Sequence, residues 1–325
     1  MSSCAHQASQ AEPNQSWSSS VGNTSLREKL DGANILFMTF DSCRLDTAAR
    51  VSPPTLGSLS QLIPAETSGS FTYPAHMAFF AGFLPLQTNS DWLFLDEFKR
   101  VWRSGVARKS RAAITFEPPN VIEHYRKLNY HVAGWGGVQW FDSRNSGNQL
   151  PRLFPEFTYN GVPPGPWPVE VSTSELPLSY VDDIIGRMRK LGHDESGFFF
   201  INCSETHFPY WTPNQPPPTG AERRCLEFVR NAAQQKVTFP DAVPVSTGFL
   251  GALREMQMQA LSWVDKQLRI VFDFAADLLN STLVIACGDH GESFGENGRF
   301  GHGYPDPPVM RVPMWAGLIP GKKWA

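Results

Sequence analysis

Four short runs in this chain are almost wholly apolar: Asn34–Phe40 (NILFMTF), His131–Trp135 (HVAGW), Gly197–Asn202 (GFFFIN) and Thr282–Cys287 (TLVIAC). A strand with one wet face alternates apolar and polar residues. Runs without that alternation need cover on both faces, the condition of a strand inside a mainly parallel sheet. Helical patterns fall between them, over Pro119–Leu128, Ser179–Leu191 and Leu250–Leu279. In the last, Leu253, Met256, Leu261, Val264, Leu268, Val271, Phe272, Ala275 and Leu278 recur mostly at three- and four-residue steps, an amphipathic stripe. Strand alternating with helix predicts an α/β fold, a three-layer α/β/α sandwich around a central, mainly parallel sheet with right-handed crossovers.

Composition narrows the class. Apolar residues make up 41% of the chain, charged residues 18%, and the net charge is −3. That describes an ordinary globular chain, without the basic footprint of a nucleic-acid binder. No apolar run approaches the ~20 residues of a membrane span, so no membrane partner is expected. The start, MSSCAHQASQAEPNQSWSSS, lacks the basic and apolar segments of a secretory signal. Residues 1–30 are expected to be a disordered polar tail and 31–325 a single domain. The Pro-rich segments Asn160–Pro168 and Pro213–Pro218 read as surface excursions. Five cysteines show no CxxC spacing, and Cys43, Cys203 and Cys287 lie in or beside apolar runs, where a small buried thiol is the simple explanation. A reducing cytoplasm is the compartment expected.

In such sheets ligands bind beyond the carboxyl ends of the strands. Three of the four runs exit into polar residues: Asp41-Ser42, Ser204-Glu205-Thr206-His207 and Asp289-His290. A carboxylate at a strand exit can be merely a helix cap. An Asp-His pair followed by glycine asks for more, because a turn explains the glycine but not the histidine, and the pair offers two adjacent ligands for a divalent ion. Gly288 and Gly291 are read as making room beside that ion and its anion. In FTYPAHMAFFAGFLP (71–85), Thr72 and Pro74 form a good helix start. The same geometry presents a positive dipole end suited to a phosphate or sulfate, where a hydroxyl beside a metal can become a nucleophile. His76 either shares that pocket or faces outward. His207 is either a packed loop histidine or a partner for an anion.

Taken together, NILFMTFDSCRLD (34–46), FTYPAHMAFFAGFLP (71–85), FFFINCSETHFPY (198–210), TLVIACGDHGESFGENGRFGHG (282–303) and RVPMW (311–315) resemble, in order, the sulfatase-like branch of the alkaline phosphatase superfamily. The resemblance spans most of the chain after residue 33; much of 90–195 matches nothing residue by residue. It implies metal ligands at Asp41, Asp289 and His290, and Thr72 as both nucleophile and metal contact. It implies His207 as a substrate-anion partner. Sulfatases of the usual kind carry Cys-x-Pro-Ser-Arg, whose Cys becomes formylglycine. Here Thr72-Tyr73-Pro74-Ala75-His76 stands instead, which excludes formylglycine and favours phosphorus over sulfur. Ser42 replaces a second aspartate common in sulfatases. One divalent metal (Zn, Mn, Mg or Ca) is expected, with a second at His302, Glu205 and His76 left open; those residues could equally meet substrate. Glu292 and Glu296 are expected to support the ligands or shape the loop. After RVPMWAGLIPG no large C-terminal subdomain of the kind with which many sulfatases close their pocket is expected, so the expectation is an open site, a homo-oligomer covering it, or an unusual substrate.

The function implied is a metal-dependent hydrolase of phosphodiesters or phosphonate monoesters, acting on a small anionic ester through a phospho-threonine. The alternatives are a phosphoalcohol transferase with the same site, a sulfuric-ester hydrolase without formylglycine, and a catalytically silent binding protein.

Overall fold

The computed structural model describes residues 26–82, 120–162 except 146, 172–213 except 193, 194 and 211, the residues 220, 223, 224, 226 and 227, and 247–324 except 297 and 298. The Pro-rich segments fall mostly outside these residues, as does most of the expected tail. Of that tail, Leu26–Leu30 is helical. Nine strands appear among the described residues: β1 (Asn34–Phe40), β2 (Ile63–Glu66), β3 (His131–Gly136), β4 (Glu156–Tyr159), β5 (Gly197–Cys203), β6 (Thr282–Gly288), β7 (Ser293–Phe294), β8 (Phe300–Gly301) and β9 (Arg311–Ile319). Seven form one sheet in the order β2-β9-β6-β1-β5-β3-β4, and β7 pairs with β8.

The four apolar runs are the inner strands β1, β3, β5 and β6, mutually parallel as expected. The sheet is mixed because β9 runs antiparallel to β6 and to β2. β9 was legible only as the motif RVPMW, because its Pro313, which pairs with Pro64 of β2, breaks a strand pattern. The four-residue strands β2 and β4 lie at the two edges, too short to show a period.

Alternation along the inner strands separates two cores. Leu36, Met38 and Phe40 of β1, Phe199 and Ile201 of β5, and Val284 and Ala286 of β6 face the helices Val181–Met188 and Thr247–Ala276. Ile35 of β1 and Phe198 and Phe200 of β5 face the helices Thr72–Ala81 and Val121–Lys127. Two buried faces make three layers. Each fully buried Leu, Met or Phe is worth roughly 1.5–3 kcal/mol in transfer free energy, so both faces drive folding. Among the described residues, no helix is long and apolar enough to cross a membrane.

Candidate active site

Register brings the site together. Phe40 of β1 pairs with Gly288 of β6 and with Cys203 of β5, so the three strands end level. Asp41 and Asp289, the next residues, therefore emerge side by side. Ser42 turns the chain in the left-handed region (φ 59°), and its backbone N–H donates to Asp289 Oδ1 at 3.2 Å. The His290 amide donates to the same oxygen at 2.8 Å. Gly291 is required by its neighbours: a Cβ there would overlap the carbonyl oxygen of Pro308. Gly288 is likewise packed against Val312, Pro313 and the Cys43 carbonyl.

Thr72 is the first residue of the helix Thr72–Ala81, and Phe71 is its N-cap. The Thr72 hydroxyl is not spent on capping. It lies 3.3 Å from Asp41 Oδ2, to which it donates, and 3.4 Å from His290 Nε2. His290 Nδ1 sits 2.9 Å from the Gly291 carbonyl oxygen, which can only accept, so Nδ1 carries the proton and Nε2 presents its lone pair. That lone pair is 3.6 Å from both Asp41 Oδ1 and Asp289 Oδ2.

One ligand atom each from Asp41, Asp289 and His290 lies within 4.8 Å of the other two, and all three residues are buried. Asp289 Oδ2 is buried with no hydrogen-bond partner, an orphan acceptor aimed into the cluster. Burial and the neighbouring Asp41 charge push the Asp289 carboxyl well above its ordinary pKa. Burial pushes Asp41 the same way, but His207, His290 and a hydrogen bond from Asn202 outweigh it and hold the carboxyl below its ordinary value. Burial takes His290 down to about 3, so its lone pair is available. Two buried carboxylates and an unprotonated imidazole in contact are the donor set of a hard or borderline divalent cation, and these residues fit one.

The other candidates divide. His302 joins the site: its ring centroid is 4.3 Å from that of His290 and 5.4 Å from that of His207. Its Nδ1 lies 3.3 Å from Glu292 Oε1, and that carboxylate raises its pKa although burial opposes the shift. His207 Nδ1 donates to the Phe208 carbonyl at 2.9 Å, which turns Nε2 to within 3.9 Å of Asp41 Oδ1.

His76 and Glu205 do not fit the open role of second-metal ligands. His76 uses both nitrogens, Nδ1 donating to the Thr72 carbonyl at 2.7 Å and Nε2 accepting from Thr39 Oγ1 at 2.9 Å. It is buried among the rings of Phe79, Phe80, Phe141 and Phe200, and burial lowers its pKa to about 4. Its place is beneath Thr72. Glu205 accepts from the Leu178 amide at 2.8 Å, and burial raises its carboxyl to about 7.

Several supporting residues escaped the sequence reading. Asn202 Nδ2 donates to Asp41 Oδ2 at 3.1 Å and to Thr39 Oγ1 at 3.2 Å. The signal was available: Thr39 and Asn202 are polar residues inside otherwise apolar strands, and both are fully buried. Arg44, also buried, donates to the Glu292 carbonyl at 2.7 Å and pairs with Glu296 at 2.9 Å and Asp46 at 2.7 Å. It fastens the Asp289–His302 loop to the turn after β1.

The family model described as Sulfatase matches residues 64–315, more than half of the chain, and the chain belongs to that family, within the alkaline phosphatase superfamily. Its fold is shared with solved structures. The C-terminal periplasmic domain of EcEptC from Escherichia coli, in complex with Zn, aligns with a TM-score of 0.56 at 13% identity, over 90% of this chain and 74% of that one. The soluble domain of lipooligosaccharide phosphoethanolamine transferase A from Neisseria meningitidis aligns with a TM-score of 0.56 at 14% identity, over 90% and 77%. Phosphonate monoester hydrolase of Agrobacterium radiobacter aligns with a TM-score of 0.56 at 16% identity, over 87% and 68%. No curated protein sequence matches at a significant level. The cytoplasmic expectation is overturned, because periplasmic domains stand among these structural neighbours. It rested on unpaired thiols, and Cys43, Cys203 and Cys287 are free because they are buried, which holds in any compartment.

Proposed function

We propose that the chain is a metal-dependent phosphoric ester hydrolase of phosphodiesters or phosphonate monoesters, working on the periplasmic or extracellular side, with Thr72 as nucleophile. The observation that carries this reading is the Thr72 hydroxyl, turned away from capping its helix and set against Asp41 and His290. Asp41, Asp289, His290 and Thr72 would hold one divalent cation. When bound there, such a cation polarises a phosphoryl oxygen and eases deprotonation of a neighbouring hydroxyl.

Thr72 Oγ, having lost its proton, attacks phosphorus in line: the Oγ–P bond forms, the bond to the departing ester oxygen breaks, and a phospho-threonine results. The positive end of the Thr72–Ala81 helix dipole favours the anion at this place. His207, whose Nε2 faces Asp41 across the cluster, would hydrogen-bond a phosphoryl oxygen. His302, whose Nδ1 faces Glu292, would hydrogen-bond the ester oxygen that leaves. Water then releases the phosphoryl group from Thr72. His76 fixes the Thr72 backbone through its carbonyl, which holds the nucleophile's direction without touching substrate.

A second reading rests on the likeness to a phosphoethanolamine transferase: the group on Thr72 passes to an acceptor alcohol instead of water. Product formation that depends on added alcohol separates the two. The test of the shared core is Thr72→Ala in metal-loaded protein, assayed on an aryl phosphodiester and an aryl phosphonate monoester. Loss of both activities with the metal retained supports the reading, and full activity removes it.

A further inference from the structure

The helix Thr247–Ala276 belongs to one outer layer and carries none of the motif residues, yet it places one amide directly beneath the site. Gln257 is fully buried, with Leu253, Leu261, Val264 and Leu268 of the same helix buried around it. Burying an amide among such residues is costly unless every polar atom is satisfied. Here they are. Nε2 donates to the Ser42 carbonyl at 2.8 Å and to the Thr206 carbonyl at 3.2 Å, and Oε1 accepts from Thr47 Oγ1 at 2.7 Å. The orientation is fixed by chemistry, since two carbonyls can only accept and must face the NH2 end.

The partners are the two strand exits themselves. Ser42 follows Asp41, holds a left-handed conformation, and passes its own N–H to Asp289. Thr206 precedes His207, and its hydroxyl donates to the Asp41 carbonyl at 2.8 Å. One side chain therefore holds the turn bearing the ligand Asp41 and the turn bearing His207 against each other, while Thr47 locks it from the helix after Asp41.

We infer that Gln257 is a positioning residue, which sets the spacing of the Asp41 and His207 turns and thereby the geometry of the cation and anion sites. The inference rests on the proposed phosphoric ester reading for its consequence in turnover, but its structural half does not.

The experiment uses the full chain with Gln257→Met, which keeps the length and removes all three hydrogen bonds, and Thr47→Val, which removes only the lock. Three quantities are read: amide hydrogen exchange without added metal, the Kd for zinc, and kcat and KM on an aryl phosphodiester. For Gln257→Met the expectation is faster exchange over 41–44 and 204–207, with β3 and β9 unchanged. Zinc Kd should rise about 10-fold and kcat fall roughly 10–100-fold, the usual cost of losing a group that orients metal ligands, while KM changes little. Thr47→Val should move the same quantities in the same direction by less.

Unchanged exchange in both segments overturns the inference. So does loosened exchange with zinc affinity and kcat at wild-type values, which would make Gln257 structural only. Uniformly faster exchange across the sheet in both variants overturns it too. A wild-type protein with neither zinc binding nor turnover defeats the proposed function instead, and the exchange comparison alone then decides whether Gln257 sets the spacing of the two turns.

Discussion

Two strand exits carry an acid and a histidine, and the fold treats them differently. After β6 come Asp289-His290, and both side chains enter the cluster with Asp41. After β5 comes Ser204-Glu205-Thr206-His207, and only His207 reaches the cluster, while Glu205 is bound to the Leu178 amide. The cause is local backbone. Ser204–Thr206 is a turn of 3-10 helix that carries Glu205, and His207, its C-cap, leaves the turn in extended conformation, so the two side chains face different ways. After β6 the chain stays open, and both N–H groups nearest Asp289 fold onto its carboxylate, which keeps the pair together. At these two exits the acid and the histidine enter the cluster together only where the backbone after the strand does not coil.

Substitutions at these exits can break that contrast. Asp289→Asn should have the largest effect. It halves the anionic charge facing the cation, so zinc content and kcat should both fall by more than the roughly 100-fold that marks the loss of a merely supporting group. Zinc analysis of the dialysed variant checks it. His207→Ala should keep its zinc and lose on the order of 100-fold in kcat, as when one donor to a developing charge is removed. Equal zinc loss in the two variants would erase the distinction between ligand and anion partner.

Glu292→Gln should cost less, several-fold in kcat, since it weakens the charge that steers His302 without removing the imidazole. Glu205→Gln should leave activity unchanged and alter only stability. Its folded-state pKa of about 7 lies above the ordinary 4.5, so the folded chain holds a proton that the unfolded chain has released. Stability is then fully present below about pH 4.5 and declines as pH rises toward 7, by a total on the order of 3 kcal/mol. The variant should match wild type near pH 4.5, exceed its Tm near pH 8, and show a flatter profile between. A Glu205→Gln protein that loses zinc would place that residue back in the site.

Much of this was legible in the sequence because strand exits are short-range features. The apolar runs gave β1, β3, β5 and β6 nearly to the residue, and with them the edge where Asp41, Asp289 and His290 meet. What stayed hidden depends on long-range partners. Whether His76 faces out or in is decided by Thr39 on another element, and Gln257 looks like any polar residue on an amphipathic helix until the turns above it are in place. Asn202 and Thr39 were the intermediate case, marked by polarity in an apolar run but without a stated partner.

The most direct test of the whole arrangement is to trap the covalent intermediate. Zinc-loaded protein is mixed with an aryl phosphonate monoester, quenched in acid during turnover, and digested for mass analysis. The expected result is a phosphonyl adduct on the peptide containing Thr72, absent in Thr72→Ala. Turnover with no adduct on that peptide, together with an active Thr72→Ala variant, would contradict the assignment of Thr72 as nucleophile.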